Sequence, residues 1–276
     1  MIDVSRVRGI IFDYGGTIDS NGVHWAEVIW QAYQAENIPI TKEQFREAYI
    51  YGERTLGKNP IIQPHHTFLD MLKIKIEIQY SMFNVGASCS RPLDSRFHNP
   101  VRDLIWVDQD ANLPLPPPEG DRCALSPAGG GEGGGSCSHI ADRCYEYARA
   151  SVENARPVIE WLAGKYPLVM VTNFYGNMRS VLKDFQIDHF FPVIIESATA
   201  GVRKPDPQIF RLGVEALQLP ANEVVVIGDS YDKDIVPAKT TGCQTIWLKN
   251  TGWNAYTGNE TADLIISDFA ELKKML

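Results

Sequence analysis

The chain has no block of lysine or arginine, no long apolar run and no paired-cysteine pattern. Each lack removes a class of protein. A nucleic-acid partner needs a basic face, but 26 Lys and Arg stand against 34 Asp and Glu, for a net charge of −8. No nucleic-acid partner is expected, although a small anion in a local pocket remains possible. No apolar run approaches the ~18 residues of a membrane span, so no membrane partner is expected either. The opening stretch MIDVSRVRGIIFDYGG has only the apolar run Ile10, Ile11, Phe12 before Asp13. A signal peptide needs ~7–15 apolar residues, so a cytoplasmic location is expected. Cys89, Cys123, Cys137, Cys144 and Cys243 are odd in number and form no CxxC pair, which argues against a disulfide framework. Oligomeric state is not legible.

What is present suffices for a globular protein. The 276 residues are 44% apolar and 22% charged, enough for one large domain or two smaller ones. Glycine and proline are unevenly placed: residues 111–136 hold 7 of the 22 glycines and 5 of the 17 prolines. That stretch cannot pack a core, and its GGGEGGGS resembles a linker. Segment 84–136 carries neither helical nor strand period and is expected to be disordered.

Val7 to Asp13 reads as a strand stopped by Gly15-Gly16. Helical spacing follows over Val23–Asn37, and Thr41–Tyr51 opens with a capping-box pattern, Thr41 to Gln44. Phe68–Tyr80 begins at helical spacing, then alternates through Ile74–Ile78, and is read as helix. Ile140–Gly164 is long enough for one helix or two. The second half alternates. Apolar runs at 168–172, 193–195, 224–227, 245–248 and 264–266 are separated by helical stretches at Met178–Phe185, Asp206–Leu217 and Asp232–Thr241, with Phe269–Leu276 at the end. This pattern predicts an α/β fold, a three-layer doubly wound parallel sheet, with a mostly helical insert after the first strand. The expected division is a core of 1–18 and 155–276 and a cap insert of 19–154.

Open parallel sheets bind ligands at the carboxyl ends of their strands. There the sequence places Asp13-Tyr-Gly-Gly-Thr17, Thr172-Asn173, Arg203-Lys204-Pro205-Asp206-Pro207 and Gly228-Asp229-Ser230, with Asp232 and Asp234 close behind. Any one of these alone is a common turn or helix start. Together they gather carboxylates, a hydroxyl, a lysine and exposed backbone N–H groups, a set suited to Mg²⁺ and a phosphate.

Four motifs in this order, FDYGGTID (12–19), VTN (171–173), GVRKPDPQIF (201–210) and VVVIGDSYDKDI (224–235), resemble the haloacid dehalogenase-like hydrolases, most of which are phosphatases. The resemblance implies a Rossmann-like core with a helical cap, and Mg²⁺-dependent hydrolysis of a small phosphorylated metabolite. It implies Asp13 as nucleophile, Thr172 and Lys204 as further catalytic groups, and Gly16, Thr17, Thr172, Asn173 and Lys204 as the phosphate-binding set. It implies Asp13, the Gly15 carbonyl, Asp229 and Asp234 around the metal. An aspartyl-phosphate would form on Asp13 and be hydrolysed by water.

One position departs. Phosphatases of that family carry a general acid/base aspartate two residues after the nucleophile, and here Gly15 stands there. A positioned proton-transfer group is typically worth ~10²–10⁴ in rate, so activity is expected to fall unless another group substitutes. Asp19 and His24 are the nearest, though each is more readily read as structural. The alternatives are a phospholigand-binding protein of weak or no activity, and an enzyme acting on a carbon–phosphorus or carbon–halogen bond. Weaker features are Cys123, Cys137, His139 and Cys144, whose spacing matches no common zinc pattern, and the pair His65 and His66, which would diverge on a helix. Tyr14 is expected to pack beneath the cap, and Trp25 and Trp30 in the cap core.

Overall fold

The computed structural model describes residues 2–83, 134–250 and 261–276. Cys89, Cys123, the expectation of disorder over 84–133 and most of the Gly/Pro-rich stretch lie outside them. Six strands form one wholly parallel sheet: β1 (Gly9–Phe12), β2 (Leu168–Thr172), β3 (Val193–Glu196), β4 (Val224–Gly228), β5 (Gln244–Leu248) and β6 (Leu264–Ile266), in the order β3-β2-β1-β4-β5-β6. β1, β2 and β4 are buried along their whole length, which is why they read as unbroken apolar runs. Alternate side chains serve opposite faces. Ile10 and Phe12 join the larger core layer with Val225 and Ile227, while Ile11 joins Val224 and Val226 on the other face.

Between β1 and β2 come α1 (Trp25–Ala35), α2 (Lys42–Lys58), α3 (Phe68–Tyr80) and α4 (Gly134–Ala163). The α2 capping box forms as the sequence predicts: Thr41 Oγ1 accepts from Gln44 N–H and the Gln44 side chain returns to Thr41 N–H. α3 is helical despite its alternating Ile74–Ile78, because Thr67 and Asp70 cap it reciprocally and its buried set includes Phe68, Met71, Leu72, Lys75, Ile76 and Gln79, at helical spacing. α4 is a single helix, with Pro157 inside it. It begins within the segment expected to be disordered and passes without interruption through the expected 154/155 boundary. The described residues of 2–83, 136–250 and 261–276 belong to one compact unit.

The remaining helices are α5 (Met178–Asp184), α6 (Ser197–Ala200), α7 (Gln208–Leu217), α8 (Val236–Thr241) and α9 (Leu272–Met275). At α7, Pro207 takes helical angles (φ −58°, ψ −20°) and Asp206 Oδ1 accepts from Gln208 N–H. The helix read over Asp232–Thr241 is in fact two pieces. Tyr231–Ile235 is a π-helical turn, where Ser230 C=O takes N–H bonds from both Asp234 and Ile235, and α8 follows. No helix among the described residues is long and apolar enough to cross a membrane.

Candidate active site

The sheet order reverses between β1 and β4, and the crevice at their carboxyl ends is where such sheets take ligands. Asp13 leaves the end of β1 with its N–H bonded to Ile227 C=O of β4 (2.9 Å). Asp229 follows β4 directly. Gly228 has no room for a side chain, since a Cβ there would stand 2.5 Å from Asp234 Cβ. Gly16 has φ +95°, where glycine is strongly favoured, and a Cβ there would overlap the Asp229 carboxylate.

Lys204 is the hub. Its Nζ donates to Asp13 Oδ1 (2.6 Å) and to Asp234 Oδ1 (2.7 Å), and all three residues are buried. Asp234 Oδ2 also accepts from Ser230 N–H at 3.0 Å. Thr17 Oγ1 lies 3.1 Å from Asp13 Oδ2 and 3.2 Å from Asp229 Oδ1, bridging the two carboxylates. Asn173 clamps the Lys204 backbone: its Oδ1 accepts from Lys204 N–H (2.9 Å) and its Nδ2 donates to Lys204 C=O (3.0 Å). The loop after β2 thus holds the lysine in place. Thr172 is buried, lines the same cleft, and its hydroxyl bonds to no described residue.

Charge crowding sets the electrostatics. Burial pushes the Asp13 carboxyl up, against the pull of Lys204. Burial and the neighbouring Asp13 and Asp234 carboxylates push Asp229 well above the usual range. Burial works against the Lys204 charge, but Asp13 and Asp234 outweigh it and hold the ammonium above its ordinary value. Carboxylate oxygens of Asp13, Asp229 and Asp234 lie within 4.8 Å of one another. This all-oxygen donor set, in which Asp229 has no ion pair among the described residues, fits a hard divalent ion such as Mg²⁺.

Position 15 is open. Among the described residues, no atom beyond the chain neighbours lies within 4 Å of where a Gly15 Cβ would stand. Asp19 is fully buried, accepting from Gly16 N–H (2.7 Å) and Trp25 Nε1–H (2.9 Å). Burial lifts its carboxyl to about 7, against those two donors. His24 caps α1, its Nδ1 accepting from Ala26 N–H. Both residues have structural bonds of the kind the sequence suggests. Tyr14 is buried edge-on against Phe68 of α3 and Phe174, beneath the insert. Trp30 packs on Phe45. Trp25 packs on Phe68 but also lines the cleft, a second role that spacing does not reveal. His65 and His66 lie on a turn before α3, their rings in contact at 4.7 Å. Cys137 and Cys144 are buried, while the exposed His139 faces Glu36, so these three do not converge.

The cleft has a volume of about 750 Å³. Its insert side carries a group absent from the sequence reading. Lys75 Nζ donates to Glu53 Oε1 (2.6 Å), and Tyr175 O–H, from the loop after β2, donates to Glu53 Oε2 (2.8 Å). The signal was available: Lys75 occupies a core-facing position in the α3 repeat.

Comparison with known proteins points the same way. Residues 129–242 match the family model described as haloacid dehalogenase-like hydrolase. A glyceraldehyde 3-phosphate phosphatase of Pyrococcus abyssi is 41% identical over 64 residues, 23% of this chain and 27% of that protein. A phosphoglycolate phosphatase of Vibrio cholerae is 29% identical over 146 residues, 50% of this chain and 64% of that protein. The chain therefore aligns with less than two thirds of either relative. The crystal structure of the magnesium-bound HAD-hydrolase YfnB from Bacillus subtilis has the same fold, with a TM-score of 0.52 at 17% identity over 98% of both chains.

Proposed function

We propose, from the premise that this chain belongs to the haloacid dehalogenase-like hydrolase superfamily, that it is a Mg²⁺-dependent phosphatase of a small phosphorylated metabolite. The observation that carries this reading is the cluster of buried Asp13, Lys204 and Asp234 with half-buried Asp229 at the strand ends beside β1 and β4. Asp13 attacks phosphorus, the P–O bond to the leaving group breaks, and water later releases phosphate from the aspartyl-phosphate. Lys204 offsets charge on nucleophile and phosphoryl oxygens, and the Thr172 hydroxyl donates to those oxygens, whereas the N–H groups of Gly16 and Thr17, expected from the sequence to join it, are spent on Asp19 Oδ1 and Tyr14 C=O. Asn173 keeps Lys204 in register. Asp13, Asp229, Asp234 and the Gly15 carbonyl would hold Mg²⁺, which supplies charge neutralisation on the phosphoryl group when bound.

Gly15 offers no side chain to protonate the leaving oxygen. On this reading that proton comes from water or the substrate, and esters with good leaving groups are favoured. The same glycine supports a second reading, a protein that binds a phospholigand without turning it over. A carbon–phosphorus or carbon–halogen substrate is the further alternative, and halide release or phosphonate cleavage would select it.

The test is hydrolysis of p-nitrophenyl phosphate with Mg²⁺ by wild type and Asp13→Asn. A loss of roughly 10³-fold or more in the variant is expected. Equal rates would overturn the nucleophile assignment. Tight phospholigand binding with no turnover across a broad ester panel would favour the second reading.

A further inference from the structure

The walls of the cleft carry the opposite charge from its floor. Asp13, Asp229 and Asp234 gather at the floor around Lys204, whose ammonium is committed to two of them. Five further cations line the walls: Arg54, Lys58 and Lys75 from α2 and α3, Arg203 from the loop after β3, and Lys233 from the π-helical turn after β4. Among the described residues of the walls, two carboxylates accompany them, Asp19 and Glu53. Asp19 accepts from the neutral donors of Gly16 and Trp25, and Glu53 is held by Lys75 and Tyr175. An acidic chain thus surrounds its proposed reaction centre with a cationic wall.

Lys75 stands out within that wall. Its side chain is only 9% exposed, and Glu53 takes one of its three ammonium hydrogens. The ammonium also stands 5.3 Å from the centre of the Tyr175 ring, and its other two hydrogens meet no oxygen acceptor among the described residues. A buried cation with unanswered donors is costly unless a ligand completes it. Arg203 reaches from the sheet edge towards α2, its Nη1 3.6 Å from where a Cβ on Gly57 would stand. Neither Arg54 nor Arg203 is ion-paired with a described carboxylate. A phosphoryl group at the floor therefore has its leaving group among donors that await an anion.

Resting on the phosphatase reading above, we propose that the leaving group of the substrate carries a second anionic group, a carboxylate or a second phosphate, held by Lys75, Arg54 and Arg203. An uncharged leaving group would leave those donors unanswered. Charge-assisted hydrogen bonds in a partly buried site make such a group the main source of discrimination between otherwise similar esters.

The test uses the full chain with Mg²⁺ and esters matched in size: phosphoglycolate, 2-hydroxyethyl phosphate and ethylene glycol bisphosphate. At least one of the two esters that carry a second anionic group, phosphoglycolate or the bisphosphate, is expected to exceed 2-hydroxyethyl phosphate in kcat/KM by about tenfold or more. Whichever does so identifies the group as carboxylate or phosphate. Calorimetry adds a readout independent of turnover: phosphonoacetate should bind about tenfold tighter than 2-hydroxyethylphosphonate. Both preferences should shrink to within about twofold in Lys75→Met and in the Arg54→Gln/Arg203→Gln pair. Lys75→Met strips Glu53 of its partner. The arginine variant, at exposed positions with no ion pair to lose, carries the test if the lysine variant does not fold. Equal turnover of all three esters with no binding preference overturns the inference and leaves the phosphatase reading standing. A binding preference without turnover supports the anion site and overturns the phosphatase reading, and a preference that survives every variant overturns the residue assignment.

Discussion

The floor and the walls of the cleft are built by different means. The floor comes from short contiguous stretches that each follow a strand, and its side chains bond mainly to one another: Lys204 to Asp13 and Asp234, Thr17 between Asp13 and Asp229. The insert wall comes from side chains on two helices, and it meets the sheet edge through Tyr175 and Glu53. A strand ends at one place and faces one crevice, so its chemistry can be written in a few adjacent letters. A helix shows a face only every third or fourth residue, so its contribution is dispersed. On the proposed reading the floor sets the reaction and the wall sets the substrate.

Gly15→Asp gives the largest test of that separation. A Cβ at position 15 meets no described atom within 4 Å beyond its chain neighbours. If proton transfer is the deficit, kcat on esters with poor leaving groups should rise by about 10²-fold or more, with little change on aryl phosphates. No gain would mean that another group already transfers the proton, and the floor would then not be self-contained.

Asp19 tests the seam between floor and wall, because it ties Gly16 to Trp25 of α1. Its carboxyl is raised to about 7 by burial, whereas an unfolded aspartate ionises near pH ~4. The stability held by its protonated form is full below that lower value and is lost as pH rises through about 7. Between these limits wild type should lose about 1.4 kcal/mol per pH unit relative to Asp19→Asn. Thermal melts from pH 5 to pH 8 measure this, and parallel curves for the two proteins would remove it. The smallest effect belongs to the wall alone. Thr41→Ala breaks the α2 capping box and should cost about 1 kcal/mol in urea unfolding. The relative rates on the three matched esters should not change, and a change would show that the start of α2 bears on the site.

Much of this was legible in the sequence because strand ends and helix starts are local events. The apolar runs of β1, β2 and β4, the Thr41 box and the four strand-end motifs all needed only adjacent residues. What was missed needed distance. Asn173 reads as a neighbour of the phosphate, yet its amide grips the backbone of Lys204, 31 positions away. Lys75 reads as one charge among several in KIKIEI, and only the packing of α3 against α2 brings it to Glu53. The Asp232–Thr241 stretch reads as a plain helix, but Ser230 C=O takes two N–H donors and turns the chain more widely there. Helical spacing showed that α3 has a buried face, but could not show that a cation on that face lines a cleft.

The open space at Gly15 has a consequence for how this site changes over generations. Every glycine codon lies one base change from a codon for an acidic residue, and a Cβ at this position meets no described atom within 4 Å beyond its chain neighbours. Packing around the Cβ therefore does not hold position 15 to glycine, and a single mutational step brings an acidic residue there.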